Sequence, residues 1–160
     1  MNSFTNRRKF LKKSAAVTAG MLGFPYLVPS SAMGYAGTVS PSNRIVIGSI
    51  GIGSMGTGDM RSLMGHKDVQ IAAVCDVWGR NRERAKNIVD QHYGDKGCSA
   101  YSDFRELIAR KDIDAVQIST PDHWHVLISL EATRNGKDIF CQKALGLSLN
   151  EDKVLRREVN

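Results

Sequence analysis

Apolar positions along this chain follow two alternating periods. "RIVIGSI", Arg44 to Ile50, is continuous, apolar and rich in β-branched residues, the pattern of a strand covered on both faces. Met55 to Met64 then follows helical spacing and ends near Gly65. "VQIAAVC" predicts a second strand, and Arg80 to His92 a polar-faced helix stopped by Gly94. "SAY" is too short to assign alone. Asp103-Phe104-Arg105-Glu106 has the capping-box pattern for a helix "FRELIAR". "DAVQIST" is another strand, followed across Pro121 by the helix "HVLISLEATRN", which Gly136 closes. "DIFC" predicts a further strand. Ser148-Leu149-Asn150-Glu151 is a second capping box, opening a helix that runs to the end of the chain.

Strands and helices alternating at this spacing predict βαβ units with right-handed crossovers. The fold class is therefore α/β, a Rossmann-type doubly wound parallel sheet, whose ligand belongs at the carboxyl ends of the strands. The unusual residues of the sequence cluster at such ends.

Gly51-Ile52-Gly53-Ser54-Met55-Gly56 reads GxGxxG. It follows a buried-strand pattern and opens a helix, the context in which this motif binds a dinucleotide. Gly51 permits the tight turn, Gly53 lets backbone approach a pyrophosphate, and Gly56 lets helix and strand pack closely. The helix N-terminus faces the phosphate charge. Asp76 follows the second strand, 20 residues after Gly56. A carboxylate there can accept both ribose hydroxyls and repels a 2′-phosphate, which favours NAD over NADP, although Arg80 and Arg82 lie close by. The bland reading of Asp76 is a cap on the next helix.

A second constellation, "STPDHWH" from Ser119 to His125, ends the "DAVQI" strand. Its two histidines are expected to enter the next helix. His123 and His125 are two apart and share no helix face, so no metal site is expected. Here the bland reading is capping by Asp122 and an ordinary packed Trp124.

Composition changes the picture at one end only. The chain has 160 residues, enough for one domain with a single core, and a formal net charge of +6. Arg7, Arg8, Lys9, Lys12 and Lys13 supply five of those six charges before any acidic residue appears. The remainder is close to neutral and gives no footprint for nucleic acid. The basic cluster leads into a modestly apolar run, Ser14 to Val28, with small residues beyond it. This is signal-peptide anatomy, and the run is short for a bilayer span of about 20 apolar residues. Arg7-Arg8-Lys9-Phe10-Leu11-Lys12 resembles the twin-arginine export consensus, with Asn6 where Ser or Thr is usual. Residues 1–36 are accordingly a signal peptide, with 37–43 a Gly/Ser/Pro-rich linker and 44–160 the nucleotide-binding domain. The expected location is the periplasm, or a membrane anchorage if the signal stays uncleaved. The twin-arginine translocase, the expected partner in export, carries folded proteins, often with a cofactor bound.

Cys75, Cys98 and Cys141 lie far apart without CxxC spacing. They suit neither a disulfide scaffold nor zinc. Cys75 and Cys141 each end an apolar run and are expected to be buried as small hydrophobes.

The chain resembles the N-terminal domain of the Gfo/Idh/MocA family, named for glucose–fructose oxidoreductase, inositol dehydrogenase and a rhizopine-catabolism protein. The resemblance covers Arg44 to Asn160. It rests on the glycine fingerprint, on Asp76, on "YSDFRELIARKDIDAVQISTPDHWH" and on "GKDIFCQKALGLSLNE". It implies that Thr120, Pro121 and His125, matching Thr-Pro-x-x-x-His, border the nicotinamide and its ribose. Gln142, Lys143 and Ala144 fall on the family's Glu-Lys-Pro motif, whose lysine lies beside the nicotinamide and helps bind substrate or assist proton transfer. Lys143 is thus the candidate catalytic residue. Gln142 keeps hydrogen-bonding capacity without the negative charge, and Ala144 is expected to lose proline's fixed φ and any cis peptide bond.

The chain ends in the helix after Lys143, before the sixth strand of a full dinucleotide fold. A truncated product, or a piece of a longer gene, is the expectation, with a sheet edge left open to association with a second copy. The resemblance implies an NAD-dependent oxidoreductase acting on a sugar or polyol. Alternatives are an NAD-retaining glycoside hydrolase of the same superfamily, and a non-catalytic nucleotide-binding remnant.

Overall fold

The computed structural model describes residues 43–159. The predicted leader and all but the last residue of the linker lie outside them. Five strands, β1 (Ile45–Ile50), β2 (Val69–Cys75), β3 (Ser99–Tyr101), β4 (Ala115–Ile118) and β5 (Asp138–Cys141), form one sheet in the order β3-β2-β1-β4-β5. Every pairing is parallel. Helices α1 (Ser54–Met64), α2 (Gly79–Tyr93), α3 (Phe104–Ile108) and α4 (His125–Arg134) occupy the four connections, and α5 (Leu149–Val159) follows β5. The chain reverses its direction of travel across the sheet between β1 and β4. In an open α/β sheet, that reversal leaves a crevice at the strands' carboxyl ends.

The central strands are apolar on both sides because both sides are covered. Ile47, Ile71 and Val74 pack with Met60, Met64, Ala85 and Val89 of α1 and α2. Ile50, Cys75, Val116 and Ile118 pack with Leu107 and Ile108 of α3 and Ile128 and Ala132 of α4. Each buried Ile, Val, Leu or Met among them contributes about 1.5–3 kcal/mol.

The elements end where local chemistry ends them. α2 stops at Gly94, whose left-handed φ of 72° lets its N–H reach the Asp90 carbonyl. The capping box at α5 forms reciprocally: Glu151 N donates to Ser148 Oγ, and Ser148 N donates back to Glu151 Oε2. At α3 only half of the expected box appears. Asp103 accepts from Arg105 N at 2.9 Å, whereas Glu106 returns no bond among the described residues. Asp103 also meets the Arg105 guanidinium, and α3 is only five residues long. "SAY" is a strand after all, an edge strand paired with β2. His123 does not enter α4; it sits in a 3₁₀ turn, Asp122–Trp124, and α4 opens at His125. Asp122 makes no capping bond among the described residues. Trp124 is 40% exposed rather than packed away. The three cysteines are free, Cys75 and Cys98 buried and Cys141 half-buried.

Candidate functional site

The glycine motif spans the turn from β1 into α1, and its three glycines meet three different surroundings. Gly51 has a φ of +81°, and a Cβ there would lie 2.6 Å from Thr120 N. A Cβ on Gly56 would run into the Gly51 carbonyl oxygen. Both positions are therefore closed to any side chain. Gly53 is the reverse: nothing lies within 4 Å of a Cβ built on it. It is the N-cap of α1, no side chain caps that helix, and its first turn holds no acid. The orphan N–H groups of a helix start thus face an open surface with the polarity an anion needs. Ile52 is fully buried and anchors the loop, while Ser54 and Met55 at the helix start are exposed.

Asp76 ties this loop to the end of β2. Its Oδ2 accepts from Ile52 N at 2.9 Å and Asn81 Nδ2 at 3.1 Å, and its Oδ1 from Trp78 N at 2.9 Å. A carboxylate has about four acceptor positions, so three protein donors leave room for about one more. Asp76 thus ties down the turn before α2 without capping the helix itself, whose N-cap is Trp78 with no side-chain cap, and it has less left for ribose hydroxyls than the sequence suggested. Of the two arginines that the sequence sets beside Asp76, Arg80 is exposed with no partner among the described residues, whereas Arg82 turns away. Arg82 Nη1 donates to the carbonyls of Asp76 and Val77 at 2.7 and 3.1 Å. Arg84 Nη2 donates to the Ile52 carbonyl at 2.9 Å, bracing the loop from α2.

Beside Asp76 opens a cleft of about 350 Å³, lined by Gly51, Asp76 and Val77 on one side and by Thr120, Pro121 and Trp124 on another, with Phe104 among its walls. Trp124 meets Phe104 edge-on, ring centroids 6.2 Å apart. Cys75 also lines the cleft, but burial, with Asp76 adding to it, pushes its thiol up to about 12. It stays protonated at neutral pH and is no nucleophile. Thr120 Oγ1 is buried at the cleft with no hydrogen-bond partner among the described residues. Such an orphan needs a partner. The open face at Gly53, the cleft and this hydroxyl together fit a dinucleotide.

His125 is 1% exposed. Its Nε2 lies 2.8 Å from the Thr120 carbonyl and its Nδ1 2.6 Å from the Ala144 carbonyl. Both ring nitrogens therefore face protein acceptors, and the ring bolts the end of β4 to the loop after β5. The peptide between Lys143 and Ala144 is cis, contrary to the expectation that alanine would lose it. Gln142 Oε1 accepts from Lys143 N at 3.2 Å, and Gln142 Nε2 donates to Asp59 Oδ2 at 3.0 Å. The Lys143 side chain is exposed and makes no ion pair among the described residues.

Asp59, Ser119 and Gln117 complete this corner and were not singled out from the sequence. Ser119 Oγ donates to Asp59 Oδ2 at 2.8 Å, and Gln117 Nε2 donates to Ser119 Oγ and to the Gly56 carbonyl. Gln117 is fully buried. A polar residue amid the apolar "AVQI" strand was the available signal.

The profile of the Gfo/Idh/MocA group, an oxidoreductase family with an NAD-binding Rossmann fold, matches residues 45–159. An alpha-N-acetylgalactosaminidase from Shewanella oneidensis is 32% identical, over 91% of this chain and 35% of that protein. The chain thus spans about a third of the length of the curated relatives it matches. Among solved structures, a myo-inositol 2-dehydrogenase from Lactobacillus plantarum superposes with a TM-score of 0.64 at 27% identity, covering 72% of this chain and 33% of that one. A scyllo-inositol dehydrogenase from Lactobacillus casei, with bound NAD(H) and scyllo-inositol, shares the fold at a TM-score of 0.65 and 23% identity, over 72% of this chain and 33% of that one.

Proposed function

We propose a function for a chain that belongs to the Gfo/Idh/MocA oxidoreductase family and carries its NAD-binding Rossmann fold: it is the cofactor-holding part of an exported enzyme that moves hydride at a carbinol carbon of a sugar or polyol. The observation that carries this reading is the open face at Gly53, at an uncapped helix start beside the cleft. When bound, NAD supplies the hydride acceptor; the rest is done by the chain. The loop from Gly51 to Gly56 holds the pyrophosphate through backbone, with Ile52 buried beneath and Ser54 and Met55 at the helix start. Asp76 takes a ribose hydroxyl, and its charge, with Arg82 and Arg84 turned onto carbonyls, favours NAD over NADP. Thr120 and Pro121 border the nicotinamide half. His125 reaches it only by holding Thr120 and the Lys143 loop in place. Gln142 fixes the backbone of Lys143, whose side chain polarises the substrate oxygen and exchanges its proton, taking it when the carbinol is oxidised and returning it when the carbonyl is reduced.

Export rests on Arg7-Arg8-Lys9-Phe10-Leu11-Lys12. A route that carries folded proteins suits a cofactor bound before export, and the periplasm is the proposed destination. The polyol reading draws on the inositol dehydrogenases that share the fold. A second reading is favoured by the curated relatives, which are named alpha-N-acetylgalactosaminidase and glycosyl hydrolase family 109. It is a glycosidase that retains its NAD, oxidises a sugar carbon transiently and expels the aglycone by elimination.

Native mass spectrometry of the purified protein tests the shared premise, with a stoichiometric NAD adduct expected. A folded protein that neither carries nor takes up NAD overturns both readings. Hydrolysis of aryl glycosides without added NAD selects the glycosidase. NADH formation from polyols and NAD selects the dehydrogenase.

A further inference from the structure

Asp59 lies one turn into α1, behind the glycine loop, and its surroundings are unusual for a carboxylate. It forms no ion pair among the described residues. Instead its Oδ2 takes two neutral donors from two strand ends, Ser119 Oγ at 2.8 Å and Gln142 Nε2 at 3.0 Å. Gln142 passes the connection on, its Oε1 accepting Lys143 N at 3.2 Å. Ser119 in turn accepts from Gln117, which also donates to the Gly56 carbonyl. One side-chain chain thus ties the third glycine, the helix it opens, the end of β4 and the backbone of Lys143.

The donor directions at Gln142 are set on both sides. Gln142 must donate on one side and accept on the other, which an amide does and a carboxylate does not. A glutamate in its place would set two carboxylates at hydrogen-bond distance. We infer that Asp59 is a positioning residue for Lys143: it is the anion of this corner, it requires an amide at 142, and it couples the loop after β5 to the glycine helix. The inference gives Lys143 no chemistry of its own and stands whether or not the proposed reaction is correct. From β4 and β5, the groups that meet the Asp59 network are Ser119, Gln117 and Gln142, all neutral. Lys143 is the charged residue of the adjoining loop.

The test is a charge swap in the intact chain, read by thermal denaturation across pH and by hydrogen exchange at the Lys143 amide. Gln142→Glu forces two carboxylates to share one proton. Its Tm deficit against wild type is expected to widen as pH rises from about 5 to 8, reaching about 5–10 °C, with faster exchange at Lys143. Gln142→Leu removes the bonds without adding charge, so its deficit is expected to stay flat with pH. Asp59→Asn with Gln142→Glu reverses the donor and the acceptor. This double variant is expected to recover a flat pH profile and slow Lys143 exchange. Parallel profiles for Gln142→Glu and wild type overturn the inference. So does a double variant that is no better than Gln142→Glu, including one in which both fail to fold. NAD titration of the same variants separates this result from the proposed function, since loss of binding in wild type would strike that reading alone.

Discussion

The carboxyl edge of the sheet has two halves built on different principles. The β1–β2 half, Gly51 to Gly56 with Asp76, is made of backbone. Gly51, against Thr120, and Gly56, against Gly51 itself, leave no room for a side chain, and this half's one carboxylate anchors the loop by accepting Ile52 N. The β4–β5 half is made of side chains that cross between elements. His125 joins Thr120 to Ala144, and Gln142 joins Lys143 to Asp59, 83 residues away. The first half can hold a cofactor by geometry that tolerates no substitution at two positions. The second presents one exposed ammonium and holds that residue's loop through Gln142 and His125, while Thr120 Oγ1 stays unpaired among the described residues. A binding surface and a positioned reactive group thus ask for different kinds of structure.

The largest effects are expected in the backbone half, and two glycines should fail in opposite ways. Gly56→Ala drives a methyl group into the Gly51 carbonyl, and overpacking of this kind costs about 1–3 kcal/mol or more. A fall in Tm is the expected result, with NAD affinity lost only as the fold is lost. Gly53→Asp meets no protein atom, so its Tm should match wild type. Yet a carboxylate set against the pyrophosphate costs several kcal/mol, about a hundredfold or more in Kd. If fluorescence titration finds Gly53→Asp binding normally, this face is not where the pyrophosphate sits, and the distinction between the halves collapses.

In the side-chain half the prominent single effect is His125→Ala. It removes a ring whose nitrogens lie against two carbonyls, and leaving a part-buried acceptor unpaired costs about 1–3 kcal/mol. Denaturant unfolding should report that loss, while NAD affinity falls far less than in Gly53→Asp. Equal damage to stability and to cofactor binding would mean that the ring contacts the cofactor directly, erasing the division of labour argued above.

Legibility in the sequence divides along the same line. The glycine turn, Asp76 and the strands were readable because their causes lie within a few residues: a positive φ, a close approach, a run of β-branched side chains. The Ser148–Glu151 box was readable for the same reason. Asp59 and Ser119 were not, because what gives them a role is a bond between residues far apart in the chain. The arginine brace was missed likewise: Arg84 reaches Ile52 across 32 positions. His125 was found through a family resemblance, but its arrangement was not, since a motif names a residue without saying which way its nitrogens point. The half-formed box at Asp103 marks the same limit in a local motif, where residue types matched and only one bond formed.

The subtlest expected effect concerns Asp76, where the two roles of the backbone half meet in one side chain. Alanine there would confound them, because it removes the acceptor for Ile52 N along with the charge. Asp76→Asn keeps one oxygen for Ile52 N and Asn81 Nδ2, and removes the negative charge together with the bond from Trp78 N, which then faces an amide NH2. The loop should hold through Ile52, and the Tm should fall only slightly. A ribose hydroxyl then meets a neutral acceptor in place of a charged one, worth about 1 kcal/mol or somewhat more. Repulsion of a 2′-phosphate disappears as well. The two changes add in the ratio of NADP to NAD dissociation constants, which should narrow by about tenfold. Paired titrations with the two cofactors give that ratio directly. A ratio that stays put, in a variant nearly as stable as wild type, would make Asp76 a loop anchor with no part in reading the ribose.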